Sequence, residues 1–130
     1  MSNPSNLKYT QTDEWILVDG NVGTIGVTDY AQEQLSDVVY VEITVSEGEL
    51  VKKGTTIASI ESVKAAADVT LPVSGKVTQV NTFLPETPEL VNSDPFGKAW
   101  MLKIEISDPA ELETLMDAKA YDAFLLERSH

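Results

Sequence analysis

Short runs of β-branched and aromatic residues recur along this chain, and Gly, Pro, Asn or Asp closes most of them. "EWILV", "VVYVEITV" and "WMLKIEIS" are the clearest, with "NLKYT", "GNVGTIGVT", the stretch Thr56–Ser62 and the alternating residues Val69, Leu71 and Val73 beside them. Runs of this length and spacing specify an antiparallel β core of many short strands. Pro72 keeps its strand at an edge or bulge, and Gly75 marks the turn into the next strand, around Val77 and Val80. Gly23 and Gly26 suggest bends or close backbone approach. Helical spacing occurs in two places. In "TDYAQEQLSD", Thr28 or Asp29 can cap a short helix with Tyr30, Ala31, Gln34 and Leu35 on one face. Near the C-terminus, Asp108 caps a helix opened by Pro109, and Asp117 caps a last one carrying Tyr121, Phe124 and Leu125. Between these regions, Leu84, Leu90, Val91 and Phe96 pin a Pro-rich loop to the core. Trp15 and Trp100 read as core anchors. The 130 residues suit one domain, 1–130, with residues 1–6 expected to be flexible.

Residue content narrows the chemistry. There is no cysteine, so disulfides, thiolate metal sites and a cysteine nucleophile are excluded. The only histidine is His130, the last residue, which is expected to be mobile and removes His-based zinc sites and Ser-His triads. An excess of 21 acids over 9 Lys plus Arg gives a net charge of -12, which disfavours nucleic acid and anionic membrane surfaces as partners. The N-terminal "MSNPSNLKYT" has neither the basic and apolar regions of a signal peptide nor the Arg-rich character of a transit peptide, so a cytoplasmic protein is expected.

One lysine stands in unusual company. "SIESVKAAADV" places Lys64 after a strand-like run and before three alanines. Gly54 lies ten residues before it and Gly75 eleven after it, with a strand pattern on each side. Lys64 is thus expected at the tip of a hairpin whose outer ends both turn at glycine. A catalytic Schiff-base lysine needs burial or a cationic neighbour to lower its pKa. Glu61 and Asp68 would instead favour the charged form. On spacing alone, a solvated surface charge and a target for covalent modification both remain open.

"ESVKAAADV" followed by "PVSGKV" resembles the attachment site of a lipoyl-bearing domain. The likeness extends through "KYTQTDEWI", "VGTIGVTDYAQEQLSDVVYVEI", "VNTFLPETPELVNSDPFGKAW" and "SDPAELETLMDAKAYDAFL". Over residues 7 to 126 the chain resembles the H-protein family of the glycine cleavage system. The resemblance implies a mostly β hybrid barrel-sandwich with one short inserted helix and C-terminal helices. It implies a carrier rather than an enzyme, with lipoate joined covalently to Lys64. Its partners would be the P protein (glycine decarboxylase), the T protein (aminomethyltransferase) and the L protein (dihydrolipoamide dehydrogenase), together with a lipoate ligase or lipoyltransferase.

The same resemblance assigns residues. Glu61 would help the attaching enzyme recognise the turn, with Val63 and Ala65 flanking the lysine. Biotin carriers place methionines there, so biotin does not fit. Thr12, Glu14 and Asp68 would line a cleft for a protonated aminomethyl group, although turn or cap roles would also explain them. The family usually has His-Glu-Trp where this chain has Asp13-Glu14-Trp15, which puts any role of that ring in doubt and adds an acid near the cleft. Two alternatives stand beside the carrier: a protein that relays lipoyl groups to other lipoate-dependent complexes, and an unmodified docking paralogue.

Overall fold

The computed structural model describes residues 3–128. The expectation about His130 falls outside them. Among the described residues, nine strands form two antiparallel sheets that face each other without closing into a barrel. The larger sheet has the order β1-β2-β3-β9-β8-β5, from β1 (Lys8–Tyr9), β2 (Glu14–Asp19), β3 (Val22–Val27), β5 (Leu50–Val51), β8 (Gly75–Val80) and β9 (Leu102–Ile106). The smaller has the order β4-β6-β7, from β4 (Val38–Ile43), β6 (Thr56–Ser62) and β7 (Ala66–Thr70). The mostly β, sandwich-like expectation holds, with helix α1 (Asp29–Leu35) inserted between β3 and β4 and a short α2 (Leu90–Ser93) between β8 and β9. No helix among the described residues is long and apolar enough to cross a membrane.

Period-two alternation explains why the larger sheet has two apolar faces. Along β2, Ile16 and Val18 point into the main core, with Ile25, Ile57, Ile60 and Ile104. Trp15 and Leu17 point to the other face, into a second cluster with Leu7, Tyr9 and Tyr121. That outer face is roofed by α3 (Ala118–Arg128), whose Tyr121, Phe124 and Leu125 pack on it as the helical spacing specifies. Asp117 caps α3, its carboxylate accepting from the Ala120 N–H at 2.8 Å. Thr28 caps α1, accepting from Ala31 at 3.3 Å. Trp15 is 2% exposed, and its indole N–H donates to the Pro95 carbonyl at 3.0 Å. The ring lies across Gly26, its cross-strand partner, where an added Cβ would sit 2.8 Å from indole atoms.

Three local expectations change. Gly54 does turn with a positive φ of 87°, but Gly75 does not. It is the first residue of β8, paired with Ile106 and Val51, and the chain reverses before it, over Leu71–Ser74. Gly75 is needed because a Cβ there would come within 2.6 Å of the Glu105 carbonyl. The segment after Asp108 is a 3-10 helix, Pro109–Thr114, and Asp108 makes no side-chain cap. Glu111 is drawn across instead, accepting from the Ser74 N–H at 2.7 Å and from its hydroxyl at 3.3 Å. Finally, β4, whose β-branched run "VVYVEITV" reads as a core strand, is an edge strand, with a register shift between Val38 and Tyr40 that leaves Val39 and Tyr40 exposed.

Candidate functional site

Lys64 sits where β6 turns into β7. The hairpin closes over Ser62–Ala65, and Ser62 organises it. Its N–H donates to the Ala65 carbonyl at 2.8 Å, and its hydroxyl oxygen accepts from Ala65 N–H at 3.0 Å and Lys64 N–H at 3.3 Å. A serine hydroxyl bonded to its own turn is a common local device. The Val63 N–H reaches sideways to the Asp37 carbonyl at 3.1 Å, pinning the turn to the segment between α1 and β4. Lys64 is exposed, and no ion pair reaches it among the described residues. Glu61 is exposed one residue before Ser62, opposite Tyr40 and Ala66. Val63 is 70% exposed.

Beside the turn lies a cleft of ≈390 Å³. Ala65, Ala67 and Asp68 from the hairpin form one wall, and Thr12 and Glu14 from the entry to β2 form another. The structure therefore gathers Thr12, Glu14 and Asp68 around one cavity, next to the residue after Lys64. The small side chains of Ala65 and Ala67 leave the room. Sequence reasoning had not placed Tyr30, Ala31, Gln34 or Arg128 in this lining. The face formed by Tyr30, Ala31 and Gln34 on α1 was visible as a pattern but carried no address. Arg128 is the chain's single arginine, which was the available signal.

Glu14 is 1% exposed and fully engaged. Thr10 and Thr12 hydroxyls each donate to Oε1 at 2.6 Å, and the Thr70 N–H donates to Oε2 at 3.2 Å. Burial pushes the Glu14 carboxyl above its ordinary range, against the pull of these three bonds, with the nearby Asp13 charge adding to the rise. A raised folded-state pKa means the native protein holds this proton more tightly than the unfolded chain does. The stability involved is fully present below the unfolded value of 4.5 and is lost as pH rises through the folded value. Urea unfolding of the wild type and of Glu14→Gln should therefore show a gap that moves in favour of Gln from pH 4.5 towards 7. A constant gap would contradict a raised Glu14 pKa.

A second buried network stands behind the cleft. The Tyr121 phenol donates to Asp13 Oδ1 at 2.8 Å, so its one proton is committed, and the contact with the Thr28 hydroxyl at 2.7 Å has Thr28 as donor. Burial pushes the Tyr121 phenol up, and Asp13 adds to this, while the Thr28 bond opposes it. Tyr121 also stacks on Tyr9, with ring centres 4.7 Å apart and an angle of 6°. Tyr121→Phe keeps the stack but strands the Thr28 donor, and should cost about 1–3 kcal/mol in chemical unfolding. A cost near zero would mean that the phenol bonds contribute nothing net.

With this geometry in view, comparison with known proteins is informative. The family model for the glycine cleavage H-protein matches residues 7–128. The glycine cleavage system H protein of Thermotoga maritima is 56% identical over 117 residues, spanning 90% of this chain and 94% of that one. That of Symbiobacterium thermophilum is 51% identical over 124 residues, spanning 95% and 96%. Among solved structures, the crystal structure of a glycine cleavage system H protein from Mycobacterium marinum superposes with a TM-score of 0.83 at 30% identity, covering 93% of this chain and 97% of that one.

Proposed function

The chain belongs to the glycine cleavage H-protein family, and on that footing we propose that it is a lipoylated carrier, residues 1–130 forming one carrier domain. Joined to Lys64, the lipoyl group would supply thiol-disulfide chemistry that the cysteine-free chain lacks, carrying an aminomethyl unit from the P protein to the T protein and being reoxidised by the L protein. The protein would have no catalytic centre of its own. A lipoate ligase or lipoyltransferase would load it, in the cytoplasm.

The observation that carries this reading is the placement of an exposed lysine, free of ion pairs among the described residues, on a serine-braced turn immediately beside an acidic cleft. The residues suit a covalent arm. Acylation removes the Lys64 charge without breaking any ion pair among the described residues. Ser62 supports the turn through the backbone, so the side chain is not needed to hold its shape. Glu61 and Val63 stand exposed on either side of Ser62 for an attaching enzyme to contact. Ala65 lets an arm fold back over the cleft wall. There, Asp68 and Thr12 offer an exposed carboxylate and hydroxyl to a protonated amine, with the buried Glu14 behind them.

The test has two stages. Incubation with lipoate and a lipoate ligase, followed by intact-mass measurement, should add one lipoyl group. The product should then support glycine-dependent carbon dioxide exchange with a P protein. Absence of any adduct would sink the lipoyl reading. An adduct that supports no exchange would point instead to lipoyl relay.

A further inference from the structure

Arg128 ends α3 and lines the cleft. Its guanidinium grips Asp13 with two bonds, Nη1 to Oδ1 at 2.7 Å and Nη2 to Oδ2 at 3.1 Å. It also lies 4.6 Å from the ring centre of Tyr30 and 5.1 Å from that of Phe124. A planar fork that binds a carboxylate and stacks on rings is a role lysine does not reproduce. The gripped residue is itself unusual. Asp13 has a φ of 72°, a left-handed conformation that costs energy without glycine. It stands between Thr12 and Glu14, so its backbone sets the course of both. Its carbonyl accepts from the Thr28 N–H at 3.0 Å, at the start of α1. Three parts of the cleft wall, the turn before β2, α1 and α3, thus meet on one aspartate.

We propose that Arg128 is a positioning residue of the carrier cleft, which by gripping Asp13 fixes the wall bearing Thr12 and Glu14 and seals the α3 end against water. The use of this seal rests on the carrier reading above. An aminomethyl thioether is hydrolysed when water reaches it. The carbon–sulfur and carbon–nitrogen bonds break, the water oxygen leaves in formaldehyde, and the protons go to the thiol and to ammonium. Two side chains hold the strained Asp13, the Tyr121 phenol with one bond and Arg128 with two, so the wall delays that loss best while the Arg128 grip lasts. Without Arg128, the Asp13 carboxylate would also face the cargo uncompensated.

Amide hydrogen exchange of the full unmodified chain tests the positioning role directly. In Arg128→Gln, the amides of Thr28, bonded to Asp13, and Thr70, bonded to Glu14, should exchange about tenfold faster, while those of Ser62 and Val63 keep their rates. Arg128→Lys should fall between Gln and wild type. Val51→Ala, at the buried position of the edge strand β5, serves as a control that lowers global stability and should leave the Thr28-to-Ser62 ratio unchanged. Wild-type exchange at Thr28 and Thr70 in Arg128→Gln, or an equal change of the ratio in Val51→Ala, would overturn the role. For the loaded protein, kept from the T protein, Arg128→Gln should shorten the lifetime of the cargo about fivefold. Faster exchange with an unchanged lifetime would refute the seal. If the wild type accepts no lipoate, the carrier reading fails, and the exchange rates still decide what Arg128 does.

Discussion

Lys64→Arg should abolish lipoylation and with it all glycine-dependent exchange, in a protein that melts within about 1 °C of the wild type. The guanidinium keeps the positive charge but is not an acceptor for the acyl group. The hairpin has no reason to change. Its shape comes from Ser62 and from the Val63 bond to Asp37, and no ion pair reaches Lys64 among the described residues. Few substitutions separate function from stability so cleanly, because most functional side chains also pack. Intact mass, exchange rate and a melting curve on one preparation check all three parts. Residual exchange above the level of the unmodified wild type would place the reactive arm elsewhere.

Gly75→Ala should have the opposite profile, costing about 3 kcal/mol of stability while leaving the lysine turn able to accept lipoate in whatever fraction remains folded. The missing Cβ would sit 2.6 Å from the Glu105 carbonyl and 2.9 Å from Ile104 Cδ1. A side-chain end can swing away, but the carbonyl belongs to β9, which is paired with both β8 and β3. Relief therefore requires sliding strands in the middle of the larger sheet. Urea unfolding measures the loss, and a cost under about 0.5 kcal/mol would show that β8 and β9 separate more easily than their register implies.

These two residues also show what could be read from the sequence. The strands, the early helix and the final helix followed from alternation, helical spacing and capping residues, which are local signals. Lys64 at a hairpin tip followed from the strand patterns on either side. The supporting clue from Gly75 was misread, since a glycine required by a neighbouring strand looks the same in sequence as a glycine required by a turn. Asp108 was misread for a related reason. It had the composition of a cap, but the short 3-10 segment left it without the bond, and Glu111 turned to Ser74. The cleft was least legible. Thr12, Glu14 and Asp68 came from family resemblance, and their meeting depends on how two sheets stack. Arg128 and Tyr121 reach Asp13 from the far end of the chain, and no window of sequence contains that contact.

That separation has a consequence for the order of events during folding. The lysine hairpin closes over four consecutive residues, Ser62–Ala65, whereas the Arg128 grip on Asp13 joins positions 115 apart. Closing a longer loop costs more chain entropy, and non-local contacts are made late. On a ribosome, the turn that carries Lys64 emerges and can form while α3 is still unsynthesised. Lys64 thus stands on a formed turn before the cleft beside it is walled, and that wall is completed only once α3 has been made.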